Sequence, residues 1–261
     1  MKKKHCFAVS AYKESPYLEE CIRSLKGQTK ETSIIIASST PNSYIRELAQ
    51  KYDIPLYIRE GKSDIQDDWN YAYDLADADY VTIAHQDDIY HPEYVENLLA
   101  AMERHDDVSL FITDYLPIKS GIVGKRDVNS VIRRLLRSPL KVSWLADKIW
   151  VKKAVLCMGN SICCPSVTYN KKKLGADVFT SKMKYNLDWD TFYKYAKLPG
   201  RFAYIDMPLV YYRVHDGATS KEFIENKRRV QEDMLMFQKF WPKWVASVIM
   251  LFYKLAYRTY G

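Results

Sequence analysis

Strand-like and helical patterns alternate through the first half of this 261-residue chain, and that alternation restricts the fold more than any other feature. The runs HCFAVSAY, TSIIIASS, LYIRE and YVTIAHQ carry the apolar, largely β-branched or aromatic residues of strands. Between them lie PYLEECIRSLKGQ, PNSYIRELAQKY and IQDDWNYAYDLADA, each with helical spacing. The first opens at Pro16 and gathers Leu18, Cys21, Ile22 and Leu25 on one face. Strands joined by helical crossovers run parallel, so the expected class is α/β, a Rossmann-like, mostly parallel sheet flanked by helices.

The second half is less regular. SLFITDYLPI has the pattern of a further strand, residues 119–153 of one or two helices, and ICCPSVTYNKK of an extended segment. WDTFYKYAKLPG is a helix closed by Pro199 and Gly200; FAYIDMPLVYYRVHD reads as a broken strand pair and KEFIENKRRVQEDMLMFQKFW as a long amphipathic helix. No repeat or low-complexity linker divides the chain. Residues 1–220 are therefore expected to form one unit with halves 1–118 and 119–220, and residues 221–261 a helical carboxyl-terminal appendage.

Five cysteines, an odd number without a CxxC pair, disfavour a disulfide framework or a zinc ribbon and fit reduced thiols in a cytoplasmic protein. MKKKHCFAVSAY turns polar at Ser10 before a signal-sequence core develops and reads as a first strand. The net charge of +7 is concentrated: residues 119–153 hold ten Lys and Arg against two Asp. A second basic, aromatic stretch, FWPKWVASVIMLFYKLAYRTYG, has an apolar run from Val245 to Tyr253, about half of the ~20 residues that a spanning helix needs. Both stretches suit the surface of an anionic membrane, with solvated helices as the plainer reading.

The tetrapeptide HQDD, His85 to Asp88, follows YVTIA and precedes HPEYVENLLAAM. Carboxylates at the carboxyl end of a parallel strand stand where an open α/β sheet binds ligands, and they supply hard oxygen donors for a divalent ion on a diphosphate. The alternative is that Asp87 and Asp88 cap the next helix. Cys163 and Cys164, taken as neighbours on a strand, point to opposite faces and read as packing residues.

The ordered motifs VSAYKESPYLEECIRSLKGQT, IIIASS, DDWNYAYDLADADYVTIAHQDDIYHPEYVE, NLDWDTF and YYRVHDGATS resemble the inverting glycosyltransferases of family 2, which have the GT-A fold. The resemblance spans most of residues 5–220 and points to bacterial polysaccharide or glycolipid enzymes of the hexosyltransferase type. It implies that residues 1–118 hold the nucleotide-sugar and residues 119–220 the acceptor. It also implies a Mn2+ or Mg2+ cofactor, with Asp88 and His215 as metal ligands. Asp87 then takes a ribose hydroxyl or a supporting role, and Arg213 stands near the diphosphate. Asp188 matches the catalytic base, with Asp190 in reserve. Ser10 and Tyr12 are implied base contacts, Ser38 stands where an acidic base reader is usual, and Asp67 and Asn70 match the helix start on the sugar and nucleotide side. Two positions depart from the pattern: His85 replaces the first Asp of the DxD-type motif, and Leu187 replaces an acidic residue before Asp188.

These features imply transfer of a sugar from a nucleotide-diphosphate donor, UDP being favoured, to a glycan or lipid-linked acceptor hydroxyl. Asn160 and Ser161 are placed near the sugar. Two other readings remain. A nucleotidyltransferase would share the parallel half, but SAYKES lacks the glycine-rich phosphate loop. A non-catalytic basic module would bind membrane, and the interleaved Trp144, Leu145, Ile149 and Trp150 favour lipid over nucleic acid.

Overall fold

The computed structural model describes residues 3–119, 121–215 and 227–257. DGATS and the first six residues of KEFIENK, like Arg258, lie outside the described residues. The strands are β1 Lys3–Ser10, β2 Ser33–Ser38, β3 Leu56–Ile58, β4 Ala78–His85, β5 Ile89–Tyr90, β6 Val108–Lys119, β7 Ile122–Val123, β8 Val167–Asn170 and β9 Arg201–Val214. The helices used below are α1 Leu18–Lys26, α2 Ser43–Lys51, α3 Ile65–Leu75, α4 Tyr94–Arg104, α5 Val128–Arg137, α6 Ile149–Ala154, α7 Lys171–Leu174, α8 Leu187–Ala196, α9 Lys227–Gln238 and α10 Lys243–Tyr257.

One sheet runs β3-β2-β1-β4-β8-β6-β9-β5, with β7 on β6. The first four strands are mutually parallel, as the alternation predicts. β8 then enters antiparallel between β4 and β6, so the sheet as a whole is mixed. Period-two alternation divides the core. Cys6, Ala8, Ile35, Val81 and Ile83 face one side with α3 and α8, and Phe7, Val9, Ile34 and Ile36 face the other with α1, α2 and α4. Met236, Phe237, Ala246 and Met250 of α9 and α10 are buried in the first of these clusters, so the carboxyl-terminal helices close one face of the sheet.

Two local expectations need correction. FAYIDMPLVYYRV is a single strand parallel to β6, not a broken pair; its pairing jumps from Ile205 opposite Thr113 to Pro208 opposite Asp114. The bulge places Asp206 and Met207 outside the ladder and accommodates Pro208, which has no N–H to give it. The second correction concerns ICCPSVTYNKK, where Pro165 lies in a 3-10 turn, Cys164–Ser166, before the short β8. Cys163 and Cys164 therefore precede the strand, although they do pack on different clusters. All five cysteines are free thiols.

What positions the site is register. Ser10 pairs with Ala37 on one side and His85 on the other, so β1, β2 and β4 end level and deliver Ser10, Ser38 and the HQDD turn to one rim.

Candidate active site

The HQDD turn leads not into a helix but into β5, which pairs antiparallel with β9, Ile89 opposite Tyr211 and Tyr90 opposite Val210. That pairing carries Arg213 and His215 to the two aspartates. Asp88 is 1% exposed. Its Oδ1 accepts from the backbone N–H of Arg213 at 2.9 Å, whereas its Oδ2 is buried without a hydrogen-bond partner. Asp87 accepts from Ser15 Oγ at 2.5 Å through Oδ1, and its carbonyl accepts from Arg213 Nε at 2.8 Å. Neither aspartate caps α4, whose N-cap is Glu93. The capping alternative fails because β5 stands between.

Burial raises the Asp88 carboxyl to about 8; the Arg213 N–H opposes this, the Asp87 charge adds to it, and the Arg213 charge opposes it. An ionised carboxylate with one idle buried oxygen is costly unless a cation faces it. His215 Nε2 is also buried without a hydrogen bond, 3.3 Å from Asp87 Oδ2. Among the described residues no group of three or more His, Cys, Asp or Glu side chains is placed to hold a metal ion by itself. Asp88 Oδ2 and His215 Nε2, neither of which has a hydrogen-bond partner, would suit a divalent ion only if other groups completed its shell. His85 lies beside them, its Nδ1 3.9 Å from Asp88 Oδ2 and its ring stacked on Trp69. Burial pulls the imidazole down to about 4, so it is neutral near pH 7.

Arg213 is less available than its motif implies. Its guanidinium pairs with Glu20 and lies 4.3 Å above the Tyr17 ring, on which His215 also packs. Tyr17 and Glu20 thus brace the RVH segment and Ser15 braces Asp87, roles that no local pattern marks.

At the nucleotide end, Tyr12 is 40% exposed, and Gln86 holds its backbone N–H and carbonyl, both at 2.9 Å. This pair of hydrogen bonds ties the loop after β1 to the HQDD turn. Ser10 is half-buried at the strand end, and Ser38 is buried, accepting from the Thr40 N–H. Asp67 is exposed on α3. Its neighbour Asp68 is the carboxylate that reaches the end of β2, accepting from Ser39, Ser63 and Arg59. Asn70 holds the Phe179 backbone with both ends of its amide. Of the predicted donor contacts, Ser10, Tyr12, Ser38 and Asp87 lie at the strand-end rim, Asp67 faces solvent, and Asn70 is engaged with the Phe179 backbone.

Asp188 lies in the first turn of α8, after the N-cap Asn186. Its Oδ1 accepts from the Trp189 N–H and its Oδ2 from Asn160 Nδ2, both at 2.7 Å. Burial raises its pKa, opposed by those two bonds and by the charges of Arg229 and Arg133. Asp190 is instead tied to Ser181 and to Lys239. Burial raises the Cys163 and Cys164 thiols, and the charges of both Asp88 and Asp188 push each of them further up.

Half of the basic residues in 119–153 have acidic or carbonyl partners on other elements, and Arg137 and Lys152 are buried. Arg126 and Arg137 pair with buried Asp114, Arg134 and Lys141 with Asp206, and Lys152 donates to the carbonyls of Leu198 and Gly200. What α5 shows outward is apolar: Val128, Val131, Ile132 and Leu135 are all exposed at helical spacing. Trp144, Trp150, and on α10 Trp244, Val248, Leu251 and Phe252 are exposed as well. No described helix is long and apolar enough to cross a membrane.

A family model described as Glycosyl transferase family 2 matches residues 6–155. No curated protein matches significantly. Among solved structures, residues 1–349 of TarS from S. aureus in complex with UDP-GlcNAc share the fold at a TM-score of 0.61 and 14% identity, over 95% of this chain and 70% of that one. The mannosyltransferase PcManGT from Pyrobaculum calidifontis in complex with GDP-Man and Mn2+ aligns at 0.62 and 16%, over 96% and 70%. Glucosyl-3-phosphoglycerate synthase from Mycobacterium tuberculosis in complex with Mn2+ and UDP-Glc aligns at 0.55 and 13%, over 90% and 78%.

Proposed function

This chain belongs to glycosyl transferase family 2 with the GT-A fold, and on that premise we propose that it transfers a sugar from a nucleotide-diphosphate donor to an acceptor hydroxyl by a single inverting displacement. Asp188 takes the proton as the acceptor oxygen attacks the anomeric carbon, and the carbon–oxygen bond to the nucleoside diphosphate breaks on the opposite face. The raised pKa of Asp188 supports this role, since it makes the carboxylate a stronger base. The Lys239 pair on Asp190 argues against the reserve candidate.

The carrying observation is the buried Oδ2 of Asp88, which has no hydrogen-bond partner, with His215 Nε2 3.3 Å from the adjoining Asp87. Asp88 and His215 would hold Mn2+ or Mg2+, with Asp87 braced next to them. Such an ion, when bound, offsets negative charge on the departing diphosphate. Ser10, Tyr12 and Ser38 receive the nucleoside, and UDP is the favoured carrier because hydroxyls and an aromatic ring suit a pyrimidine. The nucleotide sugars bound in the similar structures, UDP-GlcNAc, UDP-Glc and GDP-Man, support a nucleotide-sugar donor without choosing the sugar. Residues 1–118 form the donor half and residues 119–220 the acceptor half in this reading. The direct test is a panel of UDP-Glc, UDP-GlcNAc and GDP-Man, assayed for nucleotide release with Mn2+, with Mg2+ and with chelator. Release independent of metal for every donor would overturn it.

The acceptor is a glycan or lipid-linked glycan in polysaccharide or glycolipid synthesis, reached from the cytoplasmic face of an anionic membrane. The exposed apolar faces of α5 and α10, with Trp144, Trp150 and Trp244, support peripheral docking. With half of the basic segment engaged internally, apolar insertion contributes more of the hold than the charge count alone implies.

A further inference from the structure

The loop Leu156–Ser161 is pinned from several directions, yet it has no regular structure of its own. The Trp189 indole donates to the carbonyl of Leu156 at 3.1 Å and the Trp241 indole to that of Cys157 at 2.9 Å. Arg137, fully buried, paired with Asp114 and lying between the rings of Tyr115 and Tyr204, donates to the carbonyl of Ser161. Ser161 Oγ donates to Val155 O at 2.6 Å. Gly159 adopts φ +138°, and a Cβ there would lie 2.9 Å from the Tyr253 ring, so the loop needs glycine at that point. All of this rigidity serves to present one side chain, Asn160, to Asp188.

An ionised carboxylate only accepts hydrogen bonds, so Asn160 must turn its amide NH2 to Asp188 and its carbonyl away. Nδ2 meets Asp188 Oδ2 at 2.7 Å; Oδ1 is buried and has no partner. A buried amide oxygen left idle beside a reactive carboxylate is an acceptor waiting for a ligand donor. We propose that Asn160 positions Asp188 through Nδ2 and receives, through Oδ1, a hydroxyl of the acceptor sugar adjacent to the one that attacks. The acceptor class is thus a polyhydroxylated glycan carrying a second O–H within reach of the attacking one. This assignment rests on Asp188 as base. Arg133 on α5, Arg229 on α9, the thiols of Cys163 and Cys164 and the phenol of Tyr169 also couple to Asp188, and none of them is altered in the test.

The test compares wild type with Asn160→Ala, Asn160→Ser and Asp188→Asn. Nucleotide release from UDP-Glc, UDP-GlcNAc and GDP-Man is measured from pH 5 to 9, with water and with a panel of p-nitrophenyl glycosides as acceptors. Mn2+-dependent UDP binding reports folding. Asn160→Ala is expected to bind UDP normally and lose ~10- to 100-fold in turnover. The acid limb of its pH–rate profile should move to higher pH, because the hydrogen bond it loses favours the charged form of Asp188. Where a glycoside is used, its KM rises as well. If Asn160→Ala fails the UDP control, Asn160→Ser, which keeps a small donor, takes its place and should show the same shift in weaker form. An inactive Asp188→Asn together with wild-type rate, KM and acid limb in the Asn160 variant would overturn this proposal and leave the base standing. An active Asp188→Asn would remove the base itself.

Discussion

The backbone N–H of Arg213 reaches Oδ1 of Asp88 at 2.9 Å across 125 residues of chain, and it does so because β5 and β9 pair. One oxygen of the carboxylate is thereby fixed by the fold and the other is left for a ligand.

Asp88→Asn separates these two oxygens. The variant keeps an acceptor for the Arg213 N–H and removes the charge, so it should fold. Near pH 7 without metal it is expected to be more stable than wild type by roughly 1–4 kcal/mol, since the wild-type carboxyl, raised to about 8 by burial, resists ionisation that the unfolded chain permits. The sign follows: a carboxyl raised in the fold loses stability as pH climbs from its unfolded value towards 8. Turnover should fall at least ~100-fold. Thermal unfolding with Mn2+ and with chelator checks both points: Mn2+ raises the wild-type midpoint and leaves the variant unmoved. Activity within severalfold of wild type would sink the metal assignment.

Asp188→Asn should abolish transfer while preserving UDP and Mn2+ binding by calorimetry, because a base acts on the acceptor. Asp190→Asn removes the charge that pairs with Lys239 while leaving Ser181 an amide partner, so its main expected effect is on stability, roughly 1 kcal/mol, with activity retained. Should Asp190→Asn be the inactive variant instead, the two roles are exchanged.

His5 is a pH-dependent element far from the cleft. It is fully buried between Thr32 Oγ1 at 2.7 Å and Thr82 Oγ1 at 2.9 Å, and burial holds it near 3 instead of its ordinary 6.5. The unfolded chain gains this proton below pH 6.5, whereas the native one does not until about 3, so stability is lost as pH falls through that window. The contribution is at most ~1.4 kcal/mol per pH unit. Urea unfolding at pH 7, 5.5 and 4.5 should show His5→Gln losing less stability than wild type; equal losses would remove His5 from the account.

Vesicle flotation tests the membrane reading. Anionic vesicles should carry the protein at low salt, with up to ~1 kcal/mol from each basic residue near the surface. Part of the binding should survive high salt, because the exposed faces of α5 and α10 are apolar. Leu135→Glu combined with Trp244→Glu is expected to abolish the salt-resistant part. Equal failure on neutral and anionic vesicles at low salt would reject docking and point to a soluble acceptor.

The amino-acid sequence alone determined the parallel half of the sheet, because strand and helix periods are local properties that Cys6, Ala8 and Phe7, Val9 display residue by residue. It also singled out HQDD, NLDWDTF and RVH as motifs. Only the tertiary structure decided what their side chains do. A pattern of adjacent aspartates is the same whether they cap a helix or face a cleft, and the choice was made by a strand pair between β5 and β9. Glu20 and Asp68 carried no local signal, and the roles of Gln86 and Asn160 could not be read locally, since each is defined by a partner distant in sequence. The basic segment shows the same limit: composition counts charges, but Asp114 and Asp206 lie on other strands, and only the distance between partners decides which charges face solvent.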